Sequence, residues 1–126
     1  MKILFIDDEI VTTTLSKEGL EKLGHEVEAF TSSELALDAF KVSPDSFELV
    51  ITDKHMPVID GLELCAQIKK LNSSVPVLVL TGFVEEGGQN KMSQAGVDRY
   101  LLKPISINNI NSAIEDLVTN QQTLSK

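Results

Sequence analysis

The stretch FIDDE, Phe5–Glu9, places two aspartates and a glutamate directly behind the apolar run Ile3–Ile6. Neighbouring carboxylates repel each other, by about 4 kcal/mol at ~4 Å and an effective dielectric constant of ~20. Because the chain keeps this repulsion at the end of a predicted strand, we expect the acidic side chains to hold a cation there. The remaining sequence indicates which cation this is and which chemistry it serves.

Size and composition narrow the class of protein. The 126 residues suffice for one domain with a hydrophobic core and are too few for two. A net charge of −8 disfavours direct binding to nucleic acid or to an anionic membrane, and no apolar run approaches the length of a membrane span. The single cysteine, Cys65, excludes an internal disulfide and is typical of a reducing compartment. We therefore expect an acidic, cytoplasmic domain in which Cys65 is a small packing residue.

Short apolar runs alternate with amphipathic segments along the chain. Four runs are apolar on consecutive residues, as expected for strands covered on both faces of a parallel sheet: Ile3–Ile6, Leu49–Thr52, Val77–Leu80 and Tyr100–Leu102. The run Val27–Phe30 alternates in polarity, which is typical of an edge strand. With five helical segments between and after the strands, the pattern predicts a doubly wound α/β domain of flavodoxin-like strand order 2-1-3-4-5. The domain is predicted over residues 1–119, followed by a polar tail over 120–126.

Local signals predict where the helices begin and end. Gly24 is expected at the C′ position of helix 1, whose inward stripe is predicted as Leu15, Gly19, Leu20 and Leu23. Thr31 and Glu34 form a capping-box pattern for helix 2. Asp60 is expected to cap helix 3, and Ser106 to open helix 5.

Helix 4 is predicted to be the least stable helix. The segment Gln89–Ala95 is followed by Gly96 and preceded by Gly87 and Gly88, and glycine costs about 1 kcal/mol relative to alanine inside a helix. Met92 is one of only two clear apolar anchors. We therefore expect the N-terminal half of this helix to be readily remodelled.

The carboxyl ends of the predicted strands carry the functional signal, because ligands of doubly wound sheets bind there. The residues at these ends are Asp7, Asp8 and Glu9 after strand 1, Asp53 after strand 3, Thr81 and Gly82 after strand 4, and Lys103 and Pro104 after strand 5. Several carboxylate oxygens without a histidine or cysteine cluster suit Mg²⁺. A carboxylate beside a lysine and a hydroxyl can act as a covalent nucleophile toward a phosphoryl group. The strand ends therefore predict a magnesium site for phosphate chemistry.

These motifs resemble the receiver domain of two-component response regulators, from Lys2 to about Val118. The matching motifs are DDE at 7–9, ITDKHMPVIDG at 51–61, TG at 81–82 and YLLKP at 100–104. All four stand at strand ends and in order, which makes the combination specific. The resemblance implies that Asp53 is the phospho-acceptor. It also implies that Asp8 and Asp53 bind Mg²⁺ directly with the backbone carbonyl of His55, while Asp7 acts largely through water.

The resemblance implies further roles on the last two strands. Thr81 would hydrogen-bond the phosphoryl group, and Lys103 would pair with it. The peptide bond between Lys103 and Pro104 would be cis, and Tyr100 would be the aromatic switch residue. The side chain of His55 is expected to be exposed above the site. The implied partners are a histidine kinase or phosphotransfer protein, an output domain or protein, and, after phosphorylation, a second copy of the chain. The output surface would be formed by helix 4, strand 5 and helix 5.

Two enzyme functions compete with this signalling function. A nucleotide-binding protein of this fold would need a glycine-rich turn after strand 1, and Asp7–Val11, DDEIV, contains no glycine. An aspartate-dependent phosphatase would use a strand 1 acid as nucleophile and would need a substrate cap, for which 126 residues leave no room. We therefore expect a signalling module that catalyses only its own phosphorylation and dephosphorylation. The sequence leaves open whether it is a stand-alone regulator or a receiver excised from a hybrid sensor histidine kinase or a larger response regulator.

Overall fold

Strands and helices alternate regularly from one end of the chain to the other. A computed structural model describes residues 1–124, with side chains as far as Thr119. The elements are β1 Lys2–Ile6, α1 Ile10–Lys22, β2 Glu26–Phe30, α2 Ser33–Val42, β3 Leu49–Asp53, α3 Gly61–Leu71, β4 Val77–Thr81, α4 Gly88–Ala95, β5 Arg99–Leu102 and α5 Ile107–Leu124. All neighbouring strands pair in parallel, in the order β2-β1-β3-β4-β5. This confirms the predicted doubly wound sheet.

The sheet separates two hydrophobic clusters, because successive side chains of a strand point to opposite faces. Ile3 and Phe5 of β1 lie in the cluster that includes residues of α1 and α5, whereas Leu4 and Ile6 lie in the cluster under α2, α3 and α4. Each fully buried side chain of this size contributes roughly 1.5–3 kcal/mol. Covering on both faces explains why the central strands are apolar on consecutive residues, and β2 lies at the sheet edge with Glu26 and Glu28 exposed.

The predicted inward stripe of α1 is partly wrong. Leu15 and Leu23 are 61% and 45% exposed, and the buried residues of this helix are Thr13, Ser16 and Leu20. The physical reason is that the first turns of α1 face the polar end of β1, where the Thr13 hydroxyl donates to the backbone carbonyl of Asp7 (2.7 Å). A short hydroxyl side chain satisfies that carbonyl, and a leucine could not.

Most predicted helix ends are confirmed. Asp60 Oδ1 accepts from the Glu63 N–H (2.8 Å), and Gly24 and Gly96 follow their helices with positive φ. The capping-box prediction at Thr31 is wrong by one residue, because the hydroxyl of Ser32 accepts from the Leu35 N–H and the helix begins at Ser33.

The C-terminal helix extends beyond the predicted domain end. It is held at its start by Ser106, whose hydroxyl accepts from the Asn109 N–H (3.1 Å), and it continues past Thr119 to Leu124. The backbone of α5 thus reaches into the segment 120–126 that the sequence predicts as a polar tail, of which residues 125 and 126 lie outside the described part of the chain. Within residues 1–124, none of the helices has the length and apolar character needed to cross a membrane.

Cys65 has the packing role that the sequence predicts. It is a free cysteine of α3 and is fully buried in the cluster under α2, α3 and α4. Burial raises the pKa of its thiol to about 11. The side chain is therefore protonated at neutral pH and serves as a small apolar group.

Candidate functional site

The parallel sheet brings the predicted site residues to one edge. Asp7 directly follows β1, Asp53 ends the neighbouring β3, and Thr81 ends β4, which is next in the sheet. The backbone N–H of Asp7 donates to the Phe30 carbonyl (3.1 Å), so the polar end of β1 remains tied to β2. Lys103 follows β5, and its N–H donates to the carbonyl of Thr81 (2.7 Å).

Three carboxylates form a cluster at this edge. One oxygen from each of Asp7, Asp8 and Asp53 can be chosen so that all three lie within 4.8 Å of one another. Asp7 and Asp53 are buried and Asp8 is exposed. The backbone N–H of Glu9 donates to Asp7 Oδ1 (3.0 Å), which fixes the Asp7 carboxylate at the start of α1. Asp53 of β3 thus joins Asp7 and Asp8 in the cluster, whereas Glu9 takes part through its backbone N–H, which holds Asp7.

Lys103 links two members of this cluster. Its Nζ lies 2.9 Å from Asp53 Oδ1 and 3.2 Å from Asp7 Oδ2. Burial alone would lower the pKa of Lys103, but the hydrogen bond and the charge of Asp53, together with those of Asp7, outweigh burial and raise the pKa. The peptide bond to Pro104 is cis, as the resemblance implies.

The charge of Asp53 is unfavourable in this environment. Burial raises the pKa of its carboxyl above the ordinary value, the charges of Asp7 and Asp8 raise it further, and Lys103 offsets only part of this. Three carboxylate oxygens at one point are the donor set of a hard, oxygen-binding cation. The donor set therefore fits Mg²⁺, which would add positive charge where a single lysine does not balance three acids.

The hydroxyl of Thr81 forms a hydrogen bond with the segment that follows β4, and the hydroxyl of Tyr100 forms one with α4. The fully buried Thr81 hydroxyl donates to the carbonyl of Phe83 (2.8 Å). The Tyr100 ring packs against the cluster under α2, α3 and α4, and its hydroxyl accepts from Gln89 Nε2 (2.8 Å). Both hydroxyls thus already have hydrogen-bond partners in this arrangement.

The sequence did not predict that the position of Gly61 leaves no room for a side chain. A Cβ on Gly61 would lie 2.2 Å from the carbonyl oxygen of Asp53 and 2.9 Å from Cα of Lys54. The Gly61 N–H donates to the Lys54 carbonyl (2.8 Å), so the β3–α3 loop, residues 54–60, folds tightly back on the end of β3. The Asp-Gly pair at 60–61 behind Pro57 is a turn signal that could have indicated this close approach.

The sequence also did not predict the contacts of two further residues of this loop, Lys54 and His55. Lys54 is buried, and its Nζ lies 3.4 Å from Glu85 Oε1 in the β4–α4 loop, residues 82–87. The His55 side chain is exposed, as predicted, and its ring stacks on Phe83 at a centroid distance of 5.4 Å. Sequence position alone gave no signal for either pair, because both partners lie about thirty residues away in the chain.

The fold and this edge define a class of protein, a doubly wound α/β domain with an acidic cluster and a lysine at the carboxyl ends of its strands. Comparison with known proteins identifies the family. The chain matches the sequence model of the response regulator receiver domain over residues 3–115 and belongs to that family. It is thus a receiver domain of two-component signalling.

Relatives and solved structures agree with this family. The chain is 31% identical to the alkaline phosphatase synthesis transcriptional regulatory protein PhoP of Bacillus subtilis, over 96% of this chain and 50% of that protein. It is 32% identical to the sensor protein EvgS of Escherichia coli, over 93% of this chain and 10% of EvgS. A response regulator receiver domain structure from Clostridium thermocellum has a TM-score of 0.89 and 32% identity, with 98% of each chain covered. The chain thus spans about half of PhoP and about a tenth of EvgS.

Proposed function

We propose that the chain accepts a phosphoryl group on Asp53 from the phosphohistidine of a histidine kinase or phosphotransfer protein. The observation that carries this proposal is the position of Lys103 Nζ, 2.9 Å from Asp53 and 3.2 Å from Asp7. In the transfer, an Asp53 oxygen forms a bond to phosphorus while the phosphorus–nitrogen bond of the donor breaks and the nitrogen keeps the electron pair. Lys103 then pairs with the phosphoryl oxygens, and the Thr81 hydroxyl donates to one of them.

Magnesium is the proposed cofactor. Asp8 and Asp53 would bind it directly together with the backbone carbonyl of His55, and Asp7 largely through water. The support is the cluster of three carboxylate oxygens, each within 4.8 Å of the others, and the raised pKa of Asp53. When bound, the ion supplies positive charge against the carboxylates and the phosphoryl oxygens. Asp53 provides the nucleophilic oxygen, and Lys103 and Thr81 orient and neutralise the transferred group.

Signalling would follow from a change of partner at Thr81. If its hydroxyl turns from the Phe83 carbonyl toward the phosphoryl group, the β4–α4 loop loses the bond that Thr81 now makes to it. Tyr100 would then move inward, toward space near Thr81, and give up its bond with Gln89 of α4. The face formed by α4, β5 and α5 would change in shape, which shifts the population that an output partner or a second copy binds.

The proposed context is a cytoplasmic phosphorelay. The domain acts as a signalling module, and its proposed chemistry is limited to gaining and losing its own phosphoryl group. PhoP is named as a transcriptional regulator and EvgS as a sensor protein, and both contain a region similar to this chain. The chain therefore fits either a response regulator or a receiver joined to a sensor kinase, and its output partner is an attached domain or a separate protein.

Intact-mass analysis tests the phospho-acceptor. Incubation with Mg²⁺ and acetyl phosphate should add one phosphoryl group to the wild-type chain and none to Asp53→Asn. Undiminished labelling of Asp53→Asn would overturn the assignment. Turnover of an added phosphoester without labelling of Asp53 would favour the phosphatase instead.

A further inference from the structure

The β3–α3 and β4–α4 loops are joined by a pair of charged residues outside the acidic cluster. Lys54 Nζ lies 3.4 Å from Glu85 Oε1, and the side chains are 6% and 47% exposed. A buried ammonium is costly unless it is paired. Among the residues that the structure describes, Glu85 is the acid that pairs with Lys54, so the buried cation depends on the position of the β4–α4 loop.

An aromatic contact joins the same two loops. The rings of His55 and Phe83 are stacked, with a centroid distance of 5.4 Å and an interplanar angle of 20°. Lys54 Nζ also lies 6.0 Å from the centroid of the Phe83 ring, at the outer limit for a cation–π attraction. Two consecutive residues after Asp53 therefore contact two residues of the loop that follows Thr81.

The position of the β4–α4 loop determines which acceptor the Thr81 hydroxyl donates to. A hydroxyl has one proton to donate, and Thr81 donates it to the carbonyl of Phe83 (2.8 Å). A phosphoryl oxygen on Asp53 would compete for that same proton. As long as Phe83 and Glu85 are held by His55 and Lys54, the Phe83 carbonyl stays where it can retain the proton.

We propose that Lys54 and Glu85 form a loop latch, which holds the β4–α4 loop against the β3–α3 loop and opposes the turn of Thr81 toward a phosphoryl group. Both are positioning residues, because they act through Phe83 and Thr81. The holding of the loop is a property of the unphosphorylated chain, whereas its effect on Thr81 rests on the proposed function. The latch sets how much of the phosphoryl-bound conformation is present before any phosphoryl group arrives.

Hydrogen exchange of the unphosphorylated full chain tests the latch directly. Glu85→Gln removes the charge and leaves the Lys54 ammonium buried with a weaker partner, whereas Lys54→Met keeps an apolar side chain of similar length in the buried site. We expect amide exchange in residues 82–90 to be faster by roughly two- to fivefold in Glu85→Gln, as for a partly exposed ion pair, and by less in Lys54→Met. Glu86→Gln is the matched control, since Glu86 is exposed, adjacent, and without an ion pair among the described residues.

Salt and a double variant distinguish an ion pair from a general loosening of the loop. Exchange in the wild-type chain should increase with ionic strength, and exchange in Glu85→Gln should respond less. The effects of Lys54→Met and Glu85→Gln should not add in the double variant, because each removes the same pair. Equal exchange in Glu85→Gln and Glu86→Gln, or strict additivity, would overturn the latch.

Binding of beryllofluoride with Mg²⁺ tests the link to phosphorylation. Since the latch opposes the phosphoryl-bound conformation, Glu85→Gln should bind beryllofluoride roughly two- to fivefold more tightly than wild type, and Glu86→Gln should match wild type. If the wild-type chain binds no beryllofluoride while exchange still responds to Glu85→Gln, the proposed function fails and the latch stands. If beryllofluoride binds equally to wild type and Glu85→Gln, the link between the latch and Thr81 is overturned.

Discussion

Asp53 is held between one cation and two further carboxylates, and its charge is disfavoured there. Burial raises the pKa of this carboxyl, the repulsion of Asp7 and Asp8 adds to the effect, and Lys103 offsets only part of it. The folded chain therefore binds the proton of the Asp53 carboxyl more tightly than the unfolded chain does. The stability that Asp53 contributes is fully present below its unfolded pKa of about 4 and is lost as the pH rises through the raised folded pKa.

Replacing Asp53 by its neutral isostere should stabilise the metal-free chain. At neutral pH, Asp53→Asn removes a charge that the folded state disfavours, so we expect its free energy of unfolding to exceed that of wild type. The difference should shrink in acid, where Asp53 of the wild type is protonated. Urea unfolding in the presence of a metal chelator, at neutral and at acidic pH, measures both values. A loss of stability at neutral pH would mean that the attraction of Lys103 dominates.

Gly61 should tolerate no side chain. The Cβ of Gly61→Ala would meet the backbone of Asp53 and Lys54, at 2.2 and 2.9 Å, and backbone at a strand end cannot move aside as a flexible side chain can. We expect a loss of about 1–3 kcal/mol, as for overpacked sites, together with slower phosphorylation because Asp53 is displaced. Gly82→Ala is the control, since its Cβ would meet nothing within 4 Å, and its stability should match wild type. Chemical unfolding compares the two, and equal stabilities would contradict the close approach.

The positions of the proposed acceptor and lysine could be predicted from sequence, but several of their contacts could not. Asp53 ends β3 and Lys103 directly follows β5, and a parallel sheet brings the carboxyl ends of its strands to one edge. The burial of Lys54 depends on Glu85 in another loop, and no local pattern reports a pair formed across the fold. The roles of the residues that resemble receiver motifs remain predictions until labelling tests them.

Among the elements, the strands were easier to predict than the helices. A strand covered on both faces has a continuous apolar run, and the four apolar runs identified β1, β3, β4 and β5 to within a residue at each end. The expectation of covering on both faces is wrong for β5, which lies at the sheet edge and is half-buried, with Leu102 exposed. Helix α1 packs beside polar backbone near the site, so Thr13 is buried while Leu15 is exposed. Hydrophobic periodicity assumes that inward residues are apolar, and it fails where a helix meets a polar edge.

Helix α4 is held unequally at its two ends. It begins after Gly87, which has a left-handed backbone conformation and provides no capping side chain. At its other end, the stem of Lys69 lies over Gly96, and Lys69 Nζ lies 2.8 Å from Asp98. Asp98 in turn accepts from the Val77 N–H of β4 (2.7 Å). The C-terminal end is therefore tied to the sheet, and the N-terminal end adjoins the loop after Thr81.

The unequal anchoring of the two ends of α4 predicts where phosphorylation changes the structure most. Hydrogen exchange with and without beryllofluoride should change most in residues 82–96 and around Tyr100, and more in the N-terminal half of α4 than near Gly96. The physical reason is that, in the proposed function, Thr81 would move the loop before the helix, whereas Lys69 and Asp98 hold the turn after it. Changes confined to α1 and α2 would place the switch elsewhere.

For the molecule as a whole, the parallel sheet concentrates charge at one edge of a chain that is already acidic. With a net charge of −8, electrostatic repulsion acts on the folded state in general, and the cluster of Asp7, Asp8 and Asp53 brings three of the acids close together. The two hydrophobic clusters on either side of the sheet stabilise a fold that holds these acids together. A cation bound at the cluster would therefore act on global stability, because unfolding separates its ligands.

Mg²⁺ should accordingly raise the melting temperature of the wild-type chain in a concentration-dependent way. Above the dissociation constant, each tenfold increase in Mg²⁺ adds about 1.4 kcal/mol, or roughly 4–8 °C for a domain of this size. Asp8→Asn should melt higher than wild type without metal, since one repelling carboxylate is gone, and should gain less from Mg²⁺. Asp45→Asn, an exposed change of the same kind in the loop before β3, should leave the Mg²⁺ response unaltered. Thermal melts over a Mg²⁺ series measure all three, and equal Mg²⁺ shifts in wild type and Asp8→Asn would reject Asp8 as a ligand.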